Sequence, residues 1–364
     1  MRVVHVTPRY FPNMGGVETV VQKISETLTI KGIETVVYSV DRRADLAAVQ
    51  SVNGVLVKRF TPIVNDPLYL PEPKFVASLR RENADIIHVH NLHTLPPLIV
   101  TICRRGNQKL LLQPHYHRYG QSPFRHSMFE VYQKTACSLM FSRVHSVIAN
   151  SEYEKQLLSE DFPRAKNVLL VPEGIDVNEL KFVKHKPEEP KRILYIGALA
   201  RYKNVDKIIE GFAYLLKKKA GGFKLVIVGG GPERRSLVNL VRSLGIIGFV
   251  EWKSQLSRQE LLREYSKASV LAMLSPLESF SRVVYEALFI GVPAVVLDFG
   301  ALEYLVETGF AEGVTSLSAE SVGSALLVAS EKNWDRLPEN AGVFLDWKSY
   351  SESLVGIYRR LCGC

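Results

Sequence analysis

Two glutamates bracket the segment Glu278-Ser-Phe-Ser-Arg-Val-Val-Tyr-Glu286, which runs on to Gly291-Val292-Pro293. Ser281 can cap a helix that Gly291 ends, which leaves Glu278 in the preceding loop and Glu286 inside the helix. Carboxylates accept hydrogen bonds from sugar hydroxyls, and the free N–H groups of a helix N-terminus take phosphate oxygens. The pair suits a polyhydroxylated anionic ligand, although two glutamates beside a helix are also ordinary surface charge. A second candidate is Ile196-Gly-Ala-Leu-Ala-Arg-Tyr-Lys-Asn204. Arg201 and Lys203 there could neutralise a departing diphosphate, or simply decorate a surface loop. A third is Pro12-Asn-Met-Gly15-Gly16-Val-Glu18, where paired glycines before a helix let backbone N–H groups approach an anion. It lacks the GxGxxG fingerprint and the Gly-Lys-Ser/Thr of a Walker loop, so a plain turn is an equal reading.

Histidines form a fourth set: His88, His90 and His93, then His115 and His117 in LLLQPHYHRYG. No nearby cysteine and no HExxH completes a zinc site, and no metal is assigned. His115 or His117, at a strand end, is expected to bond a substrate; His88, within a strand, reads as a satisfied core histidine. Asp298-Phe299-Gly300 is a kinase-like tripeptide without the other kinase signatures. Cys103, Cys137, Cys362 and Cys364 are too few and too unevenly spaced for a disulfide framework, and read as reduced thiols.

The net charge of +9 is unevenly spread: no acid lies between Asp85 and Glu130, while Arg104, Arg105, Lys109, Arg118 and Arg125 do. That block favours an anionic partner, or else is a solvated basic face. No nucleic-acid module accompanies it, so no nucleic acid is expected. If the stretch up to Arg143 is helical, Met128, Val131, Leu139 and Met140 accompany Arg125, Lys134 and Arg143. Such a segment could lie on an anionic membrane surface. The N-terminal apolar run stops at Pro8, too short for a secretory signal, and no run reaches the length of a membrane span. A cytoplasmic protein, peripheral at most on the inner membrane face, is the expectation.

The elements needed to position these residues are legible. VVHVT, a glycine loop, a helical repeat (Val17, Val20, Val21, Ile24, Leu28) ending at Gly32, then TVVYSV, make a strand–helix–strand unit. Further strands are predicted at Asp85–His90, Lys109–Leu112 and Ser146–Ala149. After the polar KHKPEEPK the rhythm restarts with RILYIG, a helix capped by Asn204 and running to about Lys219, KLVIVGGGP, SVLAML and AVVLD. Length and this restart predict an α/β protein of two Rossmann-like doubly wound domains facing across a cleft lined by strand carboxyl ends. The boundaries predicted are 1–183, 184–345 and a terminal helix within 346–364.

Together these segments resemble glycosyltransferase family 4, the retaining group with the GT-B fold. The carriers, in the family's order, are PNMGGVE, LLQPHYH, ANSEYEKQ, VPEGID, IGALARYKN, LVIVGGGPE, PLESFSRVVYEALFIGVPAVV and DWKSYSESLVGIY. The glutamate segment is the most specific. The resemblance implies that Gly15 and Gly16 offer backbone to a donor diphosphate and that His115 contacts the transferred sugar, with His117 the fallback. It implies that Lys203 binds phosphate, Glu278 holds sugar hydroxyls, Glu286 holds ribose hydroxyls, and Phe280 and Ser281 present backbone N–H groups to phosphates. It further implies a C-terminal helix crossing back onto the first domain, acceptor binding in that domain (His117, Arg118 and Arg125), and deprotonation of the acceptor by the donor phosphate. Ala198 stands where the family usually has arginine, and Arg201 is the expected substitute.

The implied activity is retaining transfer of a hexose-type sugar from a nucleotide donor, UDP favoured over GDP, to a glycan or lipid-linked acceptor. No cofactor is required, since the sequence has no Asp-x-Asp to hold a divalent ion under a diphosphate. The alternatives are another GT-B enzyme, such as a nucleotide-sugar 2-epimerase, or a non-catalytic subunit that binds sugar or nucleotide.

Overall fold

The computed structural model describes residues 1–120, 123–219 and 222–363; Cys364 lies outside the described residues. The chain divides into two compact units, one of Met1–Gly174 with Leu345–Cys364, the other of Ile175–Phe344.

The first unit is built on an eight-stranded sheet. Its order is Val168–Leu170, Ser146–Ala149, Lys109–Gln113, Ile86–His90, Arg2–Thr7, Glu34–Ser39, Val55–Arg59 and Val49–Val52. Only the last pair is antiparallel. The central strands are apolar runs because both sheet faces are covered. On one face Val4, Val6, Ile87, Val89, Leu110 and Leu112 pack with Phe75, Phe129, Met140 and Phe141. On the other, Val3, Ile86, Leu111 and Ile148 lie beneath the helices Gly16–Ile30 and Trp347–Cys362. The first of these helices ends as predicted: Gly32, at φ +76°, lets its own N–H bond Thr29 O and the Ile33 N–H bond Leu28 O. The C-terminal helix starts at Asp346, whose carboxylate caps the Ser349 N–H at 2.7 Å. It buries Tyr350, Leu354, Ile357 and Tyr358 in this unit, about 1.5–3 kcal/mol for each large apolar side chain.

The second unit has six parallel strands in the order Val250–Lys253, Phe223–Val228, Lys191–Ile196, Val270–Met273, Ala294–Leu297 and Ala311–Val314. In chain order this is 3-2-1-4-5-6, the doubly wound arrangement. Order reverses between Lys191–Ile196 and Val270–Met273, so ligands are expected beyond the carboxyl ends of those two strands.

The first crossover falls at Gly174/Ile175, not in KHKPEEPK. Ile175, Val177 and Leu180 belong to the second unit's core. The polar stretch lies along that unit: His185 Nε2 meets Ala268 O at 2.8 Å, and the Lys186 N–H donates to Ser266 O. The return crossover, at Phe344/Leu345, is one residue from the predicted one.

Candidate functional site

The two strands at the second unit's reversal lead into the two strongest candidates. After Lys191–Ile196 the chain turns through Gly197 into the short 3-10 turn Arg201–Lys203. After Val270–Met273 it passes Ser275 to Glu278. Nζ of Lys203 and the Glu278 carboxylate are bonded to each other, with 15% and 14% of the side chains exposed. Burial opposes the lysine's charge, but Glu278 and Tyr202 outweigh it and hold the ammonium above the ordinary lysine range. It is a cation at any physiological pH. Asn204 does not cap the following helix, Val205–Lys218, with its side chain; it adopts left-handed backbone and donates to Leu274 O at 2.8 Å, tying the two loops together.

The helix Arg282–Ile290 begins beside Glu278. Ser281 is not the side-chain cap predicted: it sits at φ +75°, ψ +68°, and its buried Oγ has no partner among the described residues. Only the N–H groups of the first two helical positions lie ahead of the first intrahelical bond, which runs from the Val284 N–H to Ser281 O at 3.0 Å. A hydroxyl and N–H donors thus converge where an anion is favoured. Phe280 is buried and stacks on Tyr285 at 4.2 Å, which fixes the backbone leading into that turn.

Glu286 is buried in the helix, and its Oε2 accepts from Arg258 Nη1 at 2.8 Å. Arg258 Nε also donates to Glu179 at 2.7 Å. Burial works against the guanidinium, yet Glu286 and Glu179 raise it above its usual range. Sequence reasoning missed Arg258. It lies 28 residues from Glu286, and only its place at the start of a Ser257-capped helix distinguishes it. Among the described residues no hydrogen bond or ion pair brings Arg201 to this cluster; it is exposed and lines a hollow with Asp206, Glu210 and Glu233. Ala198 is exposed and carries no charge; its carbonyl accepts from the Tyr195 hydroxyl.

In the first unit, Gly15 is the N-cap of the helix Gly16–Ile30 and has no side chain to cap it. The Glu18 carboxylate occupies the space a Gly15 Cβ would need, while beside Gly16 there is open space. Glu18 itself is held by Arg9 at 2.6 Å. His115 follows the strand Lys109–Gln113 at φ +48°, buried, with Nδ1 against Asn150 Nδ2 at 3.2 Å. His117 instead stacks on His93 at 4.0 Å. Arg118 is committed to Asp161 and Glu160, and Arg125 to Asp66. Two cations of the acid-free block are therefore paired with acids distant in sequence, while Arg104 bonds the Arg105, Gln108 and Arg143 carbonyls. Its helical part (Pro123–Tyr132, a π-helical turn Gln133–Cys137, Ser138–Arg143) turns Phe129, Cys137, Met140 and Phe141 into the core. Of the predicted apolar stripe Val131 is exposed, Met128 and Leu139 are half-buried and Met140 is buried, so the stripe is presented to solvent only in part. No helix among the described residues is long and apolar enough to cross a membrane.

His5, His88 and His90 gather on the face beneath the C-terminal helix, their ring nitrogens within metal-ligand spacing. They bond one another and the helix: His5 Nδ1 to His90 Nε2 at 3.1 Å, His88 Nδ1 to Tyr358 Oη at 2.8 Å. Burial lowers the pKa of His5 to about 3, and lowers those of His88, His90 and His93 well below the ordinary value. Groups so depressed contribute stability that is complete above the unfolded value of 6.5 and lost as pH falls, by about 1.4 kcal/mol per unit for each ring. Burial pushes Glu154 the other way, up to about 8, so its contribution is lost between 4.5 and about 8 as pH rises. Four rings outweigh one carboxyl. The urea midpoint of the first unit, read from Trp347 fluorescence, is expected to fall from pH 7 to pH 5. A second unit with one histidine, His185, should change far less; equal or no shifts would contradict this.

Two family models match the chain: "Glycosyltransferase Family 4" over residues 14–179 and "Glycosyl transferases group 1" over residues 176–337. N-acetyl-alpha-D-glucosaminyl L-malate synthase of Bacillus anthracis is 24% identical over 311 residues, 79% of this chain and 77% of that protein. Sucrose-phosphate synthase of Thermosynechococcus elongatus has a similar structure, TM-score 0.80 at 19% identity, over 100% of this chain and 99% of that one. The Anabaena protein HepE, solved with UDP and glucose, gives 0.77 at 18% identity, over 99% and 100%.

Proposed function

Because the chain belongs to glycosyltransferase family 4, a GT-B group of enzymes that transfer sugar from nucleotide donors, we propose a retaining, metal-independent hexosyltransferase with its donor clamp in the second unit. The observation that carries this reading is the meeting of Lys203 and Glu278 at the reversal of strand order, beside the uncapped start of the helix that holds Glu286.

Each group then has one task. Lys203 exchanges Glu278 for the donor phosphates and stabilises the diphosphate as it leaves. Glu278, so released, accepts from hydroxyls of the sugar. The N–H groups after Phe280, and the Ser281 hydroxyl, take phosphate oxygens. Glu286, fixed by Arg258, accepts from the ribose hydroxyls. In the first unit, the backbone at Gly16 has open space beside it that could take phosphate, while Gly15 is covered by the Glu18 carboxylate, and His115 bonds the sugar. Lys203 and the helix N-terminus supply the positive charge at the phosphates, and with no Asp-x-Asp in the sequence a divalent ion is not needed. UDP is the favoured nucleotide; HepE, of similar fold, was solved with it. The acceptor is a glycan or a lipid-linked glycan met on the cytoplasmic side. Arg118 and Arg125, already paired with acids, lose support as acceptor ligands.

Thermal-shift measurements with UDP-, GDP- and ADP-sugars, followed by NMR of the product, test the reading. Expected are a rise in melting temperature with a UDP-sugar, since a ligand bound only to the folded state stabilises it. Also expected are unchanged transfer in chelator and a product that keeps the donor's anomeric configuration. An inverted product would overturn retention. An isomerised nucleotide-sugar with no glycoside would favour an epimerase, and no response to any nucleotide would favour a subunit without donor chemistry.

A further inference from the structure

His115 ends a chain of buried polar groups that begins on the C-terminal helix. Gln113, the last residue of its strand, points Nε2 at Tyr350 Oη, 2.9 Å away, and at Asn150 Oδ1, 2.6 Å away. Asn150 Nδ2 then meets His115 Nδ1 at 3.2 Å. Beneath them the Glu154 carboxyl takes the backbone N–H groups of Tyr116 (2.5 Å) and Asn150 (2.7 Å), which fixes the backbone next to both ends of the last contact.

The direction of this chain follows from donor counting. An amide nitrogen only donates. The two hydrogens on Gln113 Nε2 go to the Tyr350 oxygen and to Asn150 Oδ1, so Asn150 is held with its oxygen toward Gln113 and its nitrogen toward His115. His115 Nδ1 must therefore accept. Turning both amides over is the competing arrangement. It would put the two N–H groups of Gln113 where Oε1 now lies, buried and without a partner among the described residues. An unsatisfied carbonyl oxygen is tolerated more readily than orphaned N–H groups.

We propose that Tyr350, Gln113 and Asn150 form a relay that sets the tautomer of His115, leaving Nδ1 bare and the proton on Nε2. His115 Nε2, buried in this structure, then carries the hydrogen that an oxygen of the bound sugar would accept, and the ring is a neutral donor, not a base. Asn150 is a positioning residue, and the C-terminal helix acquires a role in the site through Tyr350. The relay stands on the first unit alone, while its consequence for transfer rests on the proposed contact between His115 and the sugar.

The test is long-range proton–nitrogen NMR of histidine-labelled protein without ligand, in the wild type and in Asn150→Asp. A carboxylate can only accept, so the variant should draw the proton onto Nδ1. Expected are a bare Nδ1 and protonated Nε2 in the wild type, the reverse in Asn150→Asp, and turnover lowered about tenfold in the variant with nucleotide affinity unchanged. Protonated Nδ1 in the wild type, or a tautomer indifferent to Asn150→Asp, would overturn the relay. A reversed tautomer with unchanged turnover would uphold the relay and remove His115 from the sugar. Should Asn150→Asp not fold, the wild-type spectrum still decides.

Discussion

Replacing Lys203 with alanine is expected to lower turnover with a nucleotide-sugar about a hundred- to a thousandfold. Removing one preorganised group aimed at developing charge typically costs about 2.7–4 kcal/mol of transition-state stabilisation. Lys203 has the attributes such a group needs. It is nearly buried, charged, and held on a three-residue turn whose loop is tied to Leu274 by Asn204. Alanine also strands Glu278 as a buried carboxylate without its cation, which is destabilising in its own right. Lys203→Ala combined with Glu278→Gln separates the two effects: it should regain thermal stability and no turnover. Arg201→Ala, on the exposed hollow with Glu233, should stay within a few-fold of wild type. If it matches the loss in Lys203→Ala, the cation absent at Ala198 is supplied by Arg201 after all.

The second large effect belongs to a single methyl group. Gly229 has φ +138°, and a Cβ there would press on the Gly197 carbonyl oxygen more closely than Cβ atoms approach any atom. The loop after Phe223–Val228 and the loop carrying Lys203 are joined by backbone hydrogen bonds. The Gly197 N–H donates to Val228 O at 3.0 Å, Leu199 N–H to Gly230 O at 2.9 Å, and Glu233 N–H to Leu199 O at 2.9 Å. Gly229→Ala must break this joint or strain it, and a loss of about 3 kcal/mol or more is expected for the second unit. Gly230→Ala is the control, since its Cβ meets nothing within 4 Å and its φ is not positive; it should cost no more than about 0.5 kcal/mol. Urea unfolding read from Trp252, in the strand Val250–Lys253, distinguishes them. Equal midpoints would mean the two loops are not locked.

The parallel strands at the centre of each sheet were legible because burial on both faces leaves uninterrupted apolar runs such as VVHVT and RILYIG. What was missed lies at sheet edges. VEWK (250–253) and AEGV (311–314) carry charge or glycine because one side meets solvent, so they do not read as buried strands. The glutamate segment identifies the helix and both carboxylates, yet Ser281 is not the side-chain cap its position suggests. A serine in left-handed backbone leaves no mark in sequence, and its strain is held by the fold around it. The basic block misled for a related reason. Asp66, Glu160 and Asp161 neutralise Arg125 and Arg118 across separations that local charge counting does not see. The same blindness hid Arg258, whose two acids come from other helices.

The donor clamp divides labour between its carboxylates, and calorimetric titration of UDP into wild type, Glu286→Gln and Glu278→Gln tests that division most directly. Glu286→Gln should weaken UDP binding by about ten- to a hundredfold, the loss of charge-assisted hydrogen bonds to the ribose. Glu278→Gln should bind UDP within a few-fold of wild type, because its partner is the sugar that UDP lacks. Wild-type affinity in Glu286→Gln, or equal losses in both variants, would contradict the clamp.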